Sequence, residues 1–349
     1  MAWKRLTRSK KPEVALLLDG FDEQSYLLAN PDVAEAVKDG SFESGAQHYL
    51  THGAEEKRPL RPGQMASRDT TKALHLVDRS GLGLEIGPSH NPITSKADGY
   101  RVEIVDHLSR EELIDKYAGH GVDLSRIEEV DYVWNGEPLD ELTKKQNHYD
   151  WIVASHVFEH LPDPISFLVQ AERILADNGV ISLIIPDKRY CFDYFQPVTT
   201  TGSLVDAWMR GATRPSSGQI FDHFSSAAHR SGGLAWTPSD VGGADSLAHG
   251  FDEAVVAYQK SVASQEYVDI HCWRFTPASF RLIISDLQRL GLVGLTIKAF
   301  FDTELSEFYA TLAKDNVAQQ PDRLALLRQQ LYESSNLGNQ ATPALPNQV

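Results

Sequence analysis

YDWIVASHVFEHLPDP, Tyr149 to Pro164, leads through a helical stretch into ILADNGVISLIIPDKRY, Ile174 to Tyr190. Residues 151–154 form a short apolar run, as expected of a buried strand. Asp163 then supplies an N-cap and Pro164 a first-turn proline. Leu168, Ala171 and Leu175 recur on one helical face, and Asp177-Asn178-Gly179 is expected to end that helix. Residues 180–185 read as the next strand. Strand, helix, strand in that order is a βαβ unit, whose strands are parallel. Outward from it, residues 82–86, 101–105 and 130–134 are further short apolar runs, many of them β-branched. Downstream, Thr276-Pro277 opens a helix closed near Gly291, and residues 295–301 form a strand candidate.

The run LGLEIGPSH, Leu82 to His90, places a glycine turn after its strand, and the next strand ends in Val105-Asp106. Glycine lets a ligand approach the backbone closely. A carboxylate about 20 residues later can accept hydrogen bonds from a ribose diol. An ordinary tight turn is the competing reading of Gly87 taken alone.

Together with the Tyr149–Pro164 and Ile174–Tyr190 segments, this order resembles class I S-adenosylmethionine-dependent methyltransferases. In that family a Tyr-Asp pair starts the fourth strand, a Glu-His pair begins the helix after it, and a glycine turn leads to the fifth strand. The resemblance covers about residues 80–190. It extends more loosely through HCWRFTPASF, His271 to Phe280, which looks like methyltransferases found beside glycan-building enzymes. It implies an α/β fold with a Rossmann-like, mostly parallel seven-stranded sheet and helices on both faces. It also implies S-adenosyl-L-methionine as cofactor. Glu85 and Gly87 would line its methionine end and Asp106 would hold the ribose hydroxyls. Asn135 would meet the adenine, where the family often has Asp, with Glu137 as the fallback. Ser155 and His156 would touch the methionyl part or face the acceptor. Pro88-Ser89-His90 departs from the family's common Gly-x-Gly.

Methyl transfer from a sulfonium is an in-line displacement with an activated donor, so the protein mainly aligns the partners. A hydroxyl acceptor also needs a group to take its proton. The candidates are His223 in FDHF, Asp269 and His271 in VDIHCW, and Asp187 after the fifth strand. Residues 190–270 are rich in aromatics and suit a substrate-facing cap; Phe192, Tyr194, Phe195, Trp208, Phe221, Phe224, Trp236 and Trp273 would cover sugar rings or form the cap's own core. Lys188 and Arg189 would meet an anionic acceptor or water. His156 to His160 spells H-x-x-E-H, an inverted zinc-peptidase pattern. His156 is expected at a strand tip rather than on the helix of His160, so no metal ligand set is expected.

The 349 residues carry 33 Lys and Arg against 48 Asp and Glu, a formal charge of −15. That balance disfavours a nucleic-acid backbone as partner. Two cysteines, Cys191 and Cys272, exclude a disulfide framework and suit a cytoplasmic setting. No apolar run reaches the roughly 18 residues of a membrane span. Residues 1–19 read as a basic disordered tail and 20–62 as a small helical module suited to protein docking. Residues 63–78 read as a linker, 79–335 as the catalytic domain with its cap, and 336–349 as a disordered tail. The expected activity is methyl transfer to a sugar or glycan-precursor hydroxyl. A small-molecule or natural-product methyltransferase, or a non-catalytic binding protein on the same fold, are the alternatives.

Overall fold

The computed structural model describes residues 21–23, 26–27, 30–53, 56, 58, 70–120, 122–240, 243–314 and 321–335. The expected tails at 1–19 and 336–349 lie outside them. The chain divides into two compact units, one of residues 1–68 with 230–236 and one of 69–229 with 237–349.

In the first unit, α1 (Pro31–Lys38) begins at the expected proline and stops before Gly40, whose φ is +82°. Helix α2 (Gly45–His48) is capped by the Ser44 side chain and runs into a wider turn over Tyr49–Gly53. Buried Tyr26 and Val33 anchor this unit, and the Tyr26 hydroxyl meets His48 Nδ1 at 2.9 Å.

The second unit is built on seven strands: β1 (Leu82–Ile86), β2 (Arg101–Asp106), β3 (Tyr132–Val133), β4 (Tyr149–Ser155), β5 (Leu175–Pro186), β8 (Leu295–Glu304) and β9 (Glu307–Lys314). Their order is β3-β2-β1-β4-β5-β9-β8. Strands β1 to β5 are parallel, and β9 runs antiparallel to both β5 and β8. The order reverses between β1 and β4, the crevice where open α/β sheets bind ligands. A Cβ on Gly83, in mid-β1, would lie 2.2 Å from the indole of Trp151 on β4, so glycine is required for that close pairing.

Six of the seven strands correspond to expected runs. The seventh, β9, pairs with β8 through a tight turn at Leu305, φ +58°. Its residues 307–312 are buried on both faces, so it lacks the alternation that marks a half-buried strand. The expected helix end at Asp177-Asn178-Gly179 shifts. The helix stops at Ile174, Leu175 already pairs with Tyr149, and Val180 with Trp151. Residues 176–179 therefore form a bulge within β5, opposite Asp150.

Within the expected linker 63–78, the described residues 70–78 include a short helix. Helix α3 (Thr70–Ala73) lies on the sheet, where Ala73 packs with Ile104, Trp151 and Ile184, and Ser182 Oγ donates to Ala73 O at 2.5 Å. Further helices are α4 (Arg110–Tyr117), α5 (Leu139–Thr143) and α6 (Pro164–Ile174), the last capped by Asp163 as expected. The cap contributes α7 (Thr201–Met209), α8 (Ser217–Ser226), a short pairing of β6 (Ala228–His229) with β7 (Ser246–Leu247), and α9 (Phe251–Ala263). Helix α10 (Pro277–Arg289) begins at the expected Thr276-Pro277, and α11 (Arg323–Ser335) packs on it. Among the described residues, no helix is long and apolar enough to cross a membrane.

Candidate functional site

At the tips of β1 and β2, backbone geometry matches the expected crevice, but the carboxylates differ in their tasks. Gly87 has φ +66°, and a Cβ there would lie 2.8 Å from Val157 Cγ2. Glu85 is fully buried. Its carboxylate accepts from Ile93 N (2.7 Å), Thr94 N (2.9 Å) and Thr94 Oγ1 (2.5 Å). Burial pushes its carboxyl above the usual range, with these bonds opposing. Through these bonds Glu85 closes the 87–94 loop. Asp106 is buried at the tip of β2. It accepts from Ser89 N (2.8 Å), His107 N (2.8 Å) and His107 Nδ1 (2.6 Å). Lys116 Nζ donates to His107 Nε2 at 2.8 Å, which places the ring proton on Nδ1. A carboxylate has about four acceptor positions, so one on Asp106 remains. Asn135 is exposed after β3, and its N–H donates to Glu137 Oε2 at 2.8 Å. Ser155 and His156 sit at the tip of β4, where His156 is left-handed at φ +53°.

Asp187, expected as a catalytic acid or base, is held otherwise. It is buried and takes two-pronged hydrogen bonds from Arg189, the shortest 2.6 Å, plus one from Thr303 Oγ1 at 2.5 Å. This buried ion pair anchors the end of β5. Lys188 is buried too, with Nζ donating to Tyr194 O at 2.9 Å. Neither cation is available to an anionic acceptor or solvated.

The reactive side chains gather at the tips of β4 and β5. The segment after β4 is laced to residues 267–273: Cys272 N and Trp273 N both donate to Glu159 O, and Trp273 Nε1 donates to Leu161 O at 2.6 Å. That lacing sets His271 beside Glu159. His271 Nδ1 lies 2.5 Å from Asp193 Oδ2, and His160 Nδ1 lies 2.8 Å from Asp269 Oδ1. Burial opposes ionisation of Asp193, but His271 and Arg274 outweigh it and hold the carboxyl below the usual range. For His160, burial disfavours the charged form, yet the Asp269 bond and the Glu159 charge raise its pKa. His156 Nε2 meets Glu307 Oε2 at 2.7 Å.

His223 enters from α8. Gln219, one turn earlier, donates to Cys272 O at 2.9 Å, which turns that helical face toward His271. Phe192 separates the two rings, with centroids 4.4 Å from His271 and 5.5 Å from His223. Burial pushes His223 down to about 4, and its Nδ1 is buried without a hydrogen-bond partner among the described residues. The structure thus brings His223, His271 and Asp269 to one place and leaves Asp187 out. Asp193, Glu159 and His160 were not singled out as acting residues. Asp193 lies two residues past Cys191 with no pattern of its own, and its role follows from a partner 78 residues away. The expected aromatic face divides. Phe192 meets the histidines, whereas Phe221 packs on Phe251 and Tyr258 between α8 and α9. A groove of about 260 Å³ lined by Pro162, Arg210 and Arg214 contains none of these histidines.

A doubly wound α/β domain with a glycine turn and an acid on adjacent strand tips defines a class of nucleoside-cofactor protein. Residues 66–240 match a family model described as "Methyltransferase domain". The chain belongs to this methyltransferase family and uses S-adenosyl-L-methionine as methyl donor. A search of curated proteins finds no match. Among solved structures, the CcbJ methyltransferase from Streptomyces caelestis is 14% identical, covering 67% of this chain and 89% of that one, with a TM-score of 0.33. A SAM-dependent methyltransferase from Aquifex aeolicus is 12% identical, covering 71% and 94%, with a TM-score of 0.32. A putative Zn-dependent alcohol dehydrogenase from Rhodobacter sphaeroides is 9% identical, covering 72% and 92%, with a TM-score of 0.41. These likenesses add nothing to the sheet order itself.

Proposed function

We propose that the chain methylates a hydroxyl group of a sugar or glycan precursor. The observation that carries this reading is His223, a half-buried imidazole held neutral, its Nδ1 buried and unpartnered among the described residues, beside the Asp193–His271 pair. A neutral nitrogen or thiolate acceptor would need no such base. The bound donor supplies an electrophilic methyl group. Gly87 and Asp106 are the residues suited to hold its nucleoside half, because Asp106 keeps an acceptor position and Gly87 leaves the backbone open. The 48% exposed His107 ring covers Asp106 and is the group that yields on binding. His223 would take the proton that the acceptor hydroxyl loses when it is methylated. Phe192 offers a ring face to a sugar. The test is a screen with radiolabelled donor across sugar, amine and thiol acceptors. Sugar labelling is expected, with His223→Ala lowering turnover about 10²- to 10⁴-fold at unchanged affinity for S-adenosylhomocysteine. Labelling of amines alone, or wild-type turnover in His223→Ala, overturns the reading.

A further inference from the structure

Glu159 is fully buried, and neither of its carboxylate oxygens accepts a hydrogen bond among the described residues. Nearly all buried polar groups have such a partner, and an isolated buried carboxylate is costly. Three imidazole nitrogens instead stand around Oε1: His156 Nδ1 at 3.5 Å, His271 Nε2 at 3.8 Å and His160 Nε2 at 3.9 Å. These separations are too long for good hydrogen bonds. They are close to the edge of a metal-coordination polyhedron, about 3.3–3.4 Å for a tetrahedron with bonds of about 2.0–2.1 Å. We propose that Glu159, His160 and His271 bind a divalent cation of the zinc class.

The surroundings of the two histidines support this site. His160 Nδ1 is tied to Asp269 and His271 Nδ1 to Asp193. A ring N–H directed at a carboxylate leaves the other nitrogen as a lone-pair donor, the arrangement that orients metal-binding histidines. Both Nε2 atoms then face the Glu159 oxygen, and lone pairs on three sides of one small space call for a positive charge between them. Two imidazoles and one carboxylate are a known donor set for zinc with a position left open. The other grouping of ligand-type side chains, Cys191, Asp193 and His271, is less suited. Its Asp193–His271 separation of 2.5 Å is a hydrogen bond and leaves no room for an ion. Burial also keeps the Cys191 thiol protonated.

The site reassigns the H-x-x-E-H string. His156 does lie at a strand tip, and the histidine whose nitrogen gathers with the ligand atoms of Glu159 and His160 is His271. If the hydroxyl-acceptor reading holds, the cation would polarise the acceptor oxygen while His223 takes the proton; this role, unlike the site itself, rests on that reading.

The experiment titrates the full chain, stripped with chelator, with Zn²⁺ by calorimetry and with Co²⁺ by visible absorption, without donor or acceptor. One equivalent is expected, with ligand-field bands of nitrogen-and-oxygen-bound Co²⁺. Glu159→Gln should abolish the bands and weaken Zn²⁺ binding at least 100-fold, at unchanged S-adenosylhomocysteine affinity. Asp193→Asn should weaken it by about 10- to 100-fold. If the wild type takes up neither ion, the site is refuted. Wild-type spectra in Glu159→Gln refute it as well. Failure here with His223-dependent sugar methylation intact removes the metal site alone. Metal binding without sugar methylation removes the acceptor reading alone.

Discussion

Glu85 and Glu159 are two glutamates of one domain, both buried at the tips of parallel strands, and they are treated in opposite ways. Glu85 receives three hydrogen bonds from residues no more than nine positions further along the chain. Glu159 receives none among the described residues and faces the imidazoles of its chain neighbours His156 and His160 and of distant His271. A carboxylate satisfied by its own loop holds that loop in shape. A carboxylate that its own loop leaves without hydrogen bonds is open to another partner. The contrast separates scaffold from chemistry within one sheet edge.

The contrast is most easily broken through Glu85. Glu85→Ala orphans two backbone N–H groups and a hydroxyl, and should lower unfolding stability by about 3–5 kcal/mol in chemical denaturation. A loss under about 1 kcal/mol would make Glu85 no more structural than Glu159. Next comes Asp106→Ala, which should weaken S-adenosylhomocysteine binding by about 1.5–3 kcal/mol in calorimetry, through loss of a charged hydrogen bond. Equal affinity would move the nucleoside elsewhere. The acidic limb of stability sharpens the other side. His223 falls from 6.5 to about 4 on folding, so between these values the unfolded chain binds the extra proton. Its contribution is present above 6.5 and lost as pH falls toward 4, by about 2 kcal/mol given a half-buried ring. Thermal melts of His223→Gln should show a flatter pH dependence over that window. The smallest effect belongs to Glu159→Gln: stability of the cation-free protein should stay within about 1 kcal/mol of wild type, because no hydrogen bond is lost. A drop as large as that of Glu85→Ala would erase the comparison.

The parallel half of the fold was legible because each strand carries its own apolar run and each helix its own punctuation, as at Asp163-Pro164 and Thr276-Pro277. Strand β9 was not, because a strand buried on both faces loses the alternation that marks it. Placement was legible where a residue sits at a strand tip, as Gly87 and Asp106 do, and where a histidine stands among aromatics, as His223 and His271 do. What each side chain pairs with was not. Asp187 occupies the right place, but Arg189 two residues on neutralises it. Glu85 is an acid in a family position, but the local N–H groups at residues 93 and 94 claim it. Asp193 and Glu159 gain meaning only from His271, more than seventy residues away in each case.

The lacing of residue 272 to residue 160, across 112 positions of chain, also sets an order in time. A ribosome delivers β1 through β5 in full before it delivers His271. Until that residue emerges, no conformation of the growing chain can surround Glu159 with its histidines. The parallel half of the sheet is thus written early in the polypeptide and its chemistry late, so a chain cut short within the cap is born with the parallel strands of the crevice and without the ligand set.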